Sequence, residues 1–264
     1  MTGNVQIHRA DIESEAWITI DKNNFEPGET VDAVLHWGQN MCPDDVYTAN
    51  DFSVCLTDPL GNNSEIIPVK VNGGFFRLSF EVYSVGAYTL TGIYENTSCC
   101  DEKLRCLKGT QSERTNNGVI NCLQICSACF FVGKCEVAVP KAPNSRMVFV
   151  PEKWEVPGSY KLISVYLKRD GKPVPYVPVR MIFSNSDGYL ERELRTDEYG
   201  NVYFVPYMAG TYCLINNSTL DESKPGIYDS VSISTTFSFM ISGKSKIRSR
   251  SKLQSNFGYK ISVE

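Results

Sequence analysis

Histidine is almost absent from this sequence of 264 residues: only His8 and His36 occur. There is also no G-x-S-x-G elbow, no H-E-x-x-H pair and no phosphate-cradling glycine loop, so the usual signatures of acyl transfer, zinc proteolysis and nucleotide binding are missing. A cysteine nucleophile would have to take its base from one of those two histidines. The carboxylates fall in turns or at alternating solvent-facing positions such as Glu191 and Glu193. Intrinsic catalysis is therefore not expected.

Long apolar runs are lacking too. None reaches the ~18 residues of a membrane-spanning helix, and the opening MTGNVQIHRADIESEAW has no apolar signal-peptide core. On this ground the chain is expected to be either cytoplasmic or an exported protein numbered without its leader. Basic surface is scarce: 26 Lys and Arg against 30 Asp and Glu give a net charge of −4, which argues against a nucleic-acid partner. Only residues 243–264 are basic, with Lys244, Lys246, Arg248, Arg250 and Lys252 set among serines as a solvated tail. No amphipathic helical run longer than about two turns appears.

What is present favours strands. Fourteen Tyr and thirteen Phe accompany many Val, Thr and Ile. Strand-like runs at 15–20, 29–37, 51–57, 64–71, 74–82 and 86–95 are separated by Pro-Gly and Gly-Gly punctuation. A second set follows the proline-bearing linker 139–146. The expected fold is all-β: two tandem immunoglobulin-like or transthyretin-like β-sandwiches, residues 1–140 and 141–242. The halves share a plan, with Asp58-Pro59-Leu60-Gly61 matched to Asp170-Gly171-Lys172-Pro173, and Gly86-Ala87-Tyr88 matched to Gly210-Thr211-Tyr212. In the last pair the glycine permits a tight entry into a closing strand, and the tyrosine buries its ring while its hydroxyl reaches a backbone partner.

Seven of the ten cysteines lie between residues 99 and 135: Cys99, Cys100, Cys106, Cys122, Cys126, Cys129 and Cys135. The first five are expected on a long loop, 97–128, inserted late in the first sandwich, with Cys129 and Cys135 just after it. The close spacing of Cys122, Cys126 and Cys129 suits a loop folded round a zinc, nickel or iron ion or an iron–sulfur cluster, with a fourth thiolate from Cys99, Cys100 or Cys106. The alternative is a disulfide framework. Cys55 and Cys213 lie within strand runs and read as small apolar side chains. A second candidate metal site joins His8 and His36 with Cys42, Asp44 and Asp45 of the segment WGQNMCPDD.

The segments DGKPVPYVPVRMIF (170–183), RTDEYGNVYF (195–204) and AGTYCL (209–214) resemble transthyretin-like and carboxypeptidase-regulatory-like sandwiches. With FEPGETVDAVLHWGQNMCPDD (25–45), CLTDPLGNNSEI (55–66), GAYTLTGIYE (86–95) and ACFFVGK (128–134), the chain resembles the NikM-like extracytoplasmic domains associated with nickel and cobalt uptake. That resemblance implies an extracytoplasmic, metal-associated accessory protein with a protein partner or self-assembly. Family members carry a Gly-His pair after the first long strand. Here Gly38 is followed by Gln39, and His36 precedes it. The remaining alternatives are a disulfide-stapled extracellular structural or adhesion protein and an electron-transfer or scaffold subunit of a larger anaerobic enzyme.

Overall fold

The computed structural model describes residues 15–43, 52–71, 75–100, 106–108, 119–134, 137–141, 145–155, 161–185 and 188–241. Among these residues the chain is strand and turn, without a helix. The first half forms β1 (Glu15–Ile20), β2 (Asn24–Phe25), β3 (Glu29–Gln39), β4 (Cys42–Pro43), β5 (Phe52–Thr57), β6 (Asn63–Ile66), β7 (Val69–Val71), β8 (Phe75–Val82), β9 (Gly86–Cys100), β10 (Cys106–Lys108), β11 (Val119–Val132) and β12 (Val137–Ala138). The second half forms β13 (Met147–Pro151), β14 (Trp154–Glu155), β15 (Ile163–Arg169), β16 (Lys172–Pro173), β17 (Pro178–Asn185), β18 (Gly188–Arg195), β19 (Asn201–Phe204), β20 (Gly210–Leu220) and β21 (Ser230–Ile241). The all-β sandwich expected from composition and punctuation is observed.

One sheet runs through both halves in the order β18-β17-β20-β21-β11-β9-β5-β6. Its seam is the parallel pairing of β11 with β21, from Ile120 opposite Ser230 to Ala128 opposite Ser238. A front sheet, β1-β3-β8-β7, covers one face, and a back sheet built on β13-β15-β16, with β19 also on β15, covers the other. Because β11 lies between these layers, both of its faces are buried. Cys126, Ala128, Phe130 and Val132 pack with Val31, Leu35, Phe76 and Leu78 of the front sheet. Leu123, Ile125, Cys129 and Phe131 pack with Met147, Phe149, Val165 and Leu167 of the back sheet. A strand buried on both sides has no polar face to alternate with, so its sequence is mostly apolar, interrupted by the buried Asn121, Gln124 and Ser127.

The Cys-rich stretch is accordingly less of a loop than expected. Residues 86–100 and 119–132 pair antiparallel over their length, from Val132 opposite Gly86 to Val119 opposite Cys99, making a long β-hairpin of the stretch's flanks. Between these flanks β10 is described, and residues 101–105 and 109–118 lie outside the described residues.

β21 explains how the front sheet is seated. Its odd-numbered residues Val231, Ile233, Phe237 and Phe239 enter the back core, and Ser232, Ser234, Thr236 and Ser238 are buried on the opposite face. Among the described residues β1 pairs with β3 along one edge, so its other edge needs partners. The hydroxyls supply them. Thr236 Oγ1 donates to Ala16 O at 2.6 Å, Ser238 Oγ donates to Ile18 O, and Ile18 N donates to Ser238 Oγ at 3.3 Å.

The two halves are closed by the same corner. Gly86 and Gly210 enter their strands at φ of +142° and +149°, a region open to glycine. Tyr88 and Tyr212 follow, both buried. Each stacks on a phenylalanine, Phe130 and Phe239, with ring centroids 5.4 Å apart and planes within 8°. Ser84 N donates to Tyr88 Oη at 3.0 Å. Met208 N donates to Tyr212 Oη at 3.3 Å, and that hydroxyl donates to Met208 O at 3.0 Å.

The other repeated turn needs re-pairing. Asp58 Oδ1 accepts from the amides of Leu60 and Asn62 at 2.9 and 2.8 Å. The structural equivalent is Asp197, whose Oδ1 accepts from Tyr199 and Asn201, both at 2.8 Å. Asp170 and Gly171, at φ +48° and +76°, instead form the two-residue turn of the β15–β16 hairpin, where Arg169 faces Lys172.

Candidate functional site

The cysteine positions follow from strand parity. On β11, Cys122 and Cys126 share a face and Cys129 lies on the other, because side chains alternate along a strand. Cys126 belongs to the front core and Cys129 to the back core, with the sheet between them. Cys126 Sγ donates to Gly92 O at 3.5 Å. Leu35 and Cys126 approach β9 so closely here that a Cβ on Gly92 would lie 2.7 Å from Leu35 Cδ1 and 2.8 Å from Cys126 Sγ. Cys129 Sγ and Thr89 Oγ1 are 3.5 Å apart. Burial pushes both thiols up to about 12, which leaves them protonated at neutral pH, whereas the thiolate is the nucleophile and the metal ligand. The Cys122, Cys126 and Cys129 set is thus not brought to one point.

Cys213 is fully buried, as expected of a small core residue, and burial raises its thiol well above the ordinary range. Cys55 is only half-buried: Val54 enters the front core and Cys55 takes the opposite face of β5. Cys42 is exposed on β4. Cys99 and Cys100 end β9, and Cys106 begins β10. Cys135, His8, Asp44 and Asp45 lie outside the described residues.

His36 is held by aromatic packing. Its ring stacks on Trp17 at 5.0 Å and meets the edge of Phe75 at 5.2 Å, and Nε2 shares a 2.7 Å hydrogen bond with Thr19 Oγ1. Nδ1 is buried without a partner, so a proton there would have no acceptor. Burial lowers the imidazole to about 4. Among the described residues, no three His, Cys, Asp or Glu side chains gather as a metal site.

The structure assembles a different polar cluster, at the β3–β4 turn. Asn40 and Met41 adopt left-handed φ values of 53° and 59°, reversing the chain beside β17 and β18. Asn40 N donates to Glu15 Oε1 at 2.8 Å, and Glu15 is entirely buried. Arg180 donates through Nη2 to Asn40 Oδ1 and through Nε to Glu191 Oε1 at 2.7 Å. Tyr189 Oη donates to Glu191 Oε2 at 3.0 Å. Burial opposes the charge of Arg180, but the bond to Glu191 and the charges of Glu191 and Glu15 more than offset it and hold the guanidinium above its ordinary value. Burial, then the Glu191 charge, raises the Tyr189 phenol. Beneath the cluster, Trp17 packs on Ile182, Cys213 and Ile215. Glu15, Asn40 and Arg180 therefore clamp the front sheet of the first half to the outer face of the second. Sequence reading missed this cluster; the one available signal was Asn in a short turn after a long strand, where a left-handed residue is tolerated.

A second gap between the halves is a cleft of about 850 Å³ lined by Asn63 and Lys141 on one side and by Arg146, Lys168 and Asp170 on the other. Two of its cations are already engaged: Arg146 pairs with Glu222, and Lys168 Nζ lies 5.3 Å from the ring centre of Tyr166.

No curated protein matches the chain. Among solved structures, it is similar to a DUF4785 family protein from Legionella pneumophila, at 12% identity and a TM-score of 0.30, covering 75% of this chain and 51% of that one. It is also similar to a tetra-tandem repeat in the extending region of a large adhesion protein, at 12% identity and a TM-score of 0.28, covering 87% and 49%. A third is the Escherichia coli adhesin FdeC, at 10% identity and a TM-score of 0.27, covering 84% and 64%. The chain spans less than two thirds of each of these. No helix among the described residues is long and apolar enough to cross a membrane. One family model, described as a domain of unknown function (DUF4198), matches residues 15–216, and the chain belongs to that family.

Proposed function

We propose that this chain is a non-catalytic structural or binding module that works outside the cytoplasm, with protein partners or further copies of itself. The observation that carries this reading is the placement of the β11 thiols: Cys126 and Cys129 fill two different cores on opposite faces of one sheet and are held protonated by burial. Two of the thiols expected to make a metal-binding centre, Cys126 and Cys129, are packing groups of a three-layer β body. The polar cluster at the β3–β4 turn supports the same reading, since Glu15, Asn40 and Arg180 are engaged in joining two sheets. A nickel- or cobalt-uptake role, as in the NikM-like domains, would need donors other than the Cys122, Cys126 and Cys129 set.

Elemental analysis of protein purified anaerobically tests the reading. The expected result is less than a tenth of an equivalent of iron, zinc, nickel or cobalt, unchanged in Cys126→Ala and Cys129→Ala. A stoichiometric metal that disappears in either variant would refute it.

A further inference from the structure

The register of the long hairpin brings two cysteines opposite each other at its far end. In the antiparallel pair of β9 with β10, Cys106 is the partner of Cys100, Leu107 of Cys99 and Lys108 of Ser98. We propose that Cys100 and Cys106 form a disulfide that closes the β9–β10 connection. This goes beyond the module reading and stands or falls separately from it.

Residues directly opposite in an antiparallel ladder have Cα atoms ~4.5–5.5 Å apart, inside the ~4.4–6.8 Å range in which a disulfide forms without moving the backbone. The other described cysteines compete poorly for either position. Cys99 is the neighbour of Cys100 in the same strand and is placed on the other face of the ladder, across from Leu107 on one side and Val119 on the other. Cys122 is opposite Asn96, four residues along β9 from Cys100. That is roughly 13 Å at 3.3 Å per residue, beyond the ~7 Å limit for bridging. Cys42, Cys55, Cys126, Cys129 and Cys213 are free thiols, and the last three are fully buried.

The chemistry is thiol–disulfide exchange with a protein or small-molecule disulfide as oxidant. The thiolate of one cysteine attacks the donor, forms a mixed disulfide and releases one donor thiolate. The second cysteine thiolate then attacks the chain's own sulfur and releases the other. Two protons leave the pair, its two electrons reduce the donor to two thiols, and one S–S bond forms within the chain.

The test uses the full chain equilibrated with a buffer of oxidised and reduced glutathione, acid-quenched, alkylated while denatured and cleaved with trypsin. Cleavage at Lys103 and Arg105 separates the two cysteines, so the bond appears as a linked peptide pair, 78–103 with 106–108. Most Cys106 is expected in that pair, with fragmentation of the wild-type peptide assigning the link to Cys100. The pair should persist in Cys99→Ser and vanish in Cys100→Ser. The proposal is overturned if Cys106 is recovered mainly alkylated or bound to glutathione, if fragmentation places the link on Cys99, or if the cysteines are shielded by a stoichiometric metal. The wild-type assignment does not depend on any variant folding. Free Cys106 in metal-free protein would sink this inference and leave the module reading intact.

Discussion

The two halves of the molecule use one corner device, and they differ in what surrounds it. Gly86 and Tyr88 close the first half and Gly210 and Tyr212 the second, with φ at the two glycines within 7° of each other, the same stacking distance and the same kind of hydroxyl anchor. The Asp58 and Asp197 turns also match, yet they do different work. The first joins β5 to β6 within the central sheet, where Thr57 faces Asn63. The second carries the chain from β18 in the central sheet to β19 in the back sheet. A local turn motif therefore fixes how the chain reverses without fixing which sheet receives the next strand. That choice belongs to the apolar pattern of the strand that follows: Val202 and Phe204 are buried in the back core, whereas β6 is largely exposed.

Substitution at the corner glycines should break the comparison most strongly. A Cβ at Gly210 would sit 2.6 Å from Phe183 Cε2 and 2.7 Å from Ser184 O, and one at Gly86 2.7 Å from Pro59 Cβ. Gly210→Ala is expected to cost about 3 kcal/mol or more, since a ring and a backbone carbonyl must both move. Gly86→Ala, which meets only a proline ring at the surface, should cost roughly 2 kcal/mol. Urea unfolding of both variants measures the gap, and equal losses would show the corners to be equivalent after all.

Acid should reveal a second asymmetry, because the second half has no histidine and the first holds the half-buried His36. As pH falls through about 6.5 the unfolded chain takes up a proton at His36 that the folded protein refuses until about pH 4. Stability should decline across that window, by up to roughly 3 kcal/mol. His36→Phe should flatten the decline; an unchanged pH profile would contradict the burial of Nδ1.

The tyrosines come next. Tyr212→Phe loses a donated and an accepted hydrogen bond and is expected to cost about 1–2 kcal/mol; Tyr88→Phe loses one accepted bond and should cost about 1 kcal/mol. Denaturation midpoints at constant slope will rank them. The Asp turns should give the smallest effect. Hydrogen bonds from the Asn62 side chain and then from the turn amides lower the Asp58 carboxyl, and those from the Asn201 and Tyr199 amides outweigh desolvation at Asp197. Each contribution is present at neutral pH and lost as the carboxyl protonates in acid below its ordinary value. Asp58→Ala and Asp197→Ala should each lower Tm by a few degrees at pH 7 and by less at pH 3.

Much of the fold was legible because the relevant physics is local. Period-two alternation and Gly or Pro punctuation marked most strands within a few residues, and the run 15–20 coincides with β1. The run 64–71 is divided because Pro68 interrupts it, sending β6 to the central sheet and β7 to the front one. The candidate site was less legible, since close spacing of cysteines suggests a ligand loop only if the segment is a loop. CLQICSACFFV is instead a strand buried on both faces, and its alternation sends Cys126 and Cys129 apart. The parallel seam of β11 with β21 and the meeting of Glu15 with Arg180 join residues far apart in sequence, and nothing local announces either.

Alkylation of the native protein, followed site by site by mass spectrometry, tests the central claim that the β11 thiols are core side chains. The expected result is rapid labelling of Cys42, with Cys126, Cys129 and Cys213 labelled only at the rate of global unfolding. Labelling of Cys126 or Cys129 in the folded protein at a rate near that of Cys42, or their release for labelling only when a bound metal is removed, would contradict it.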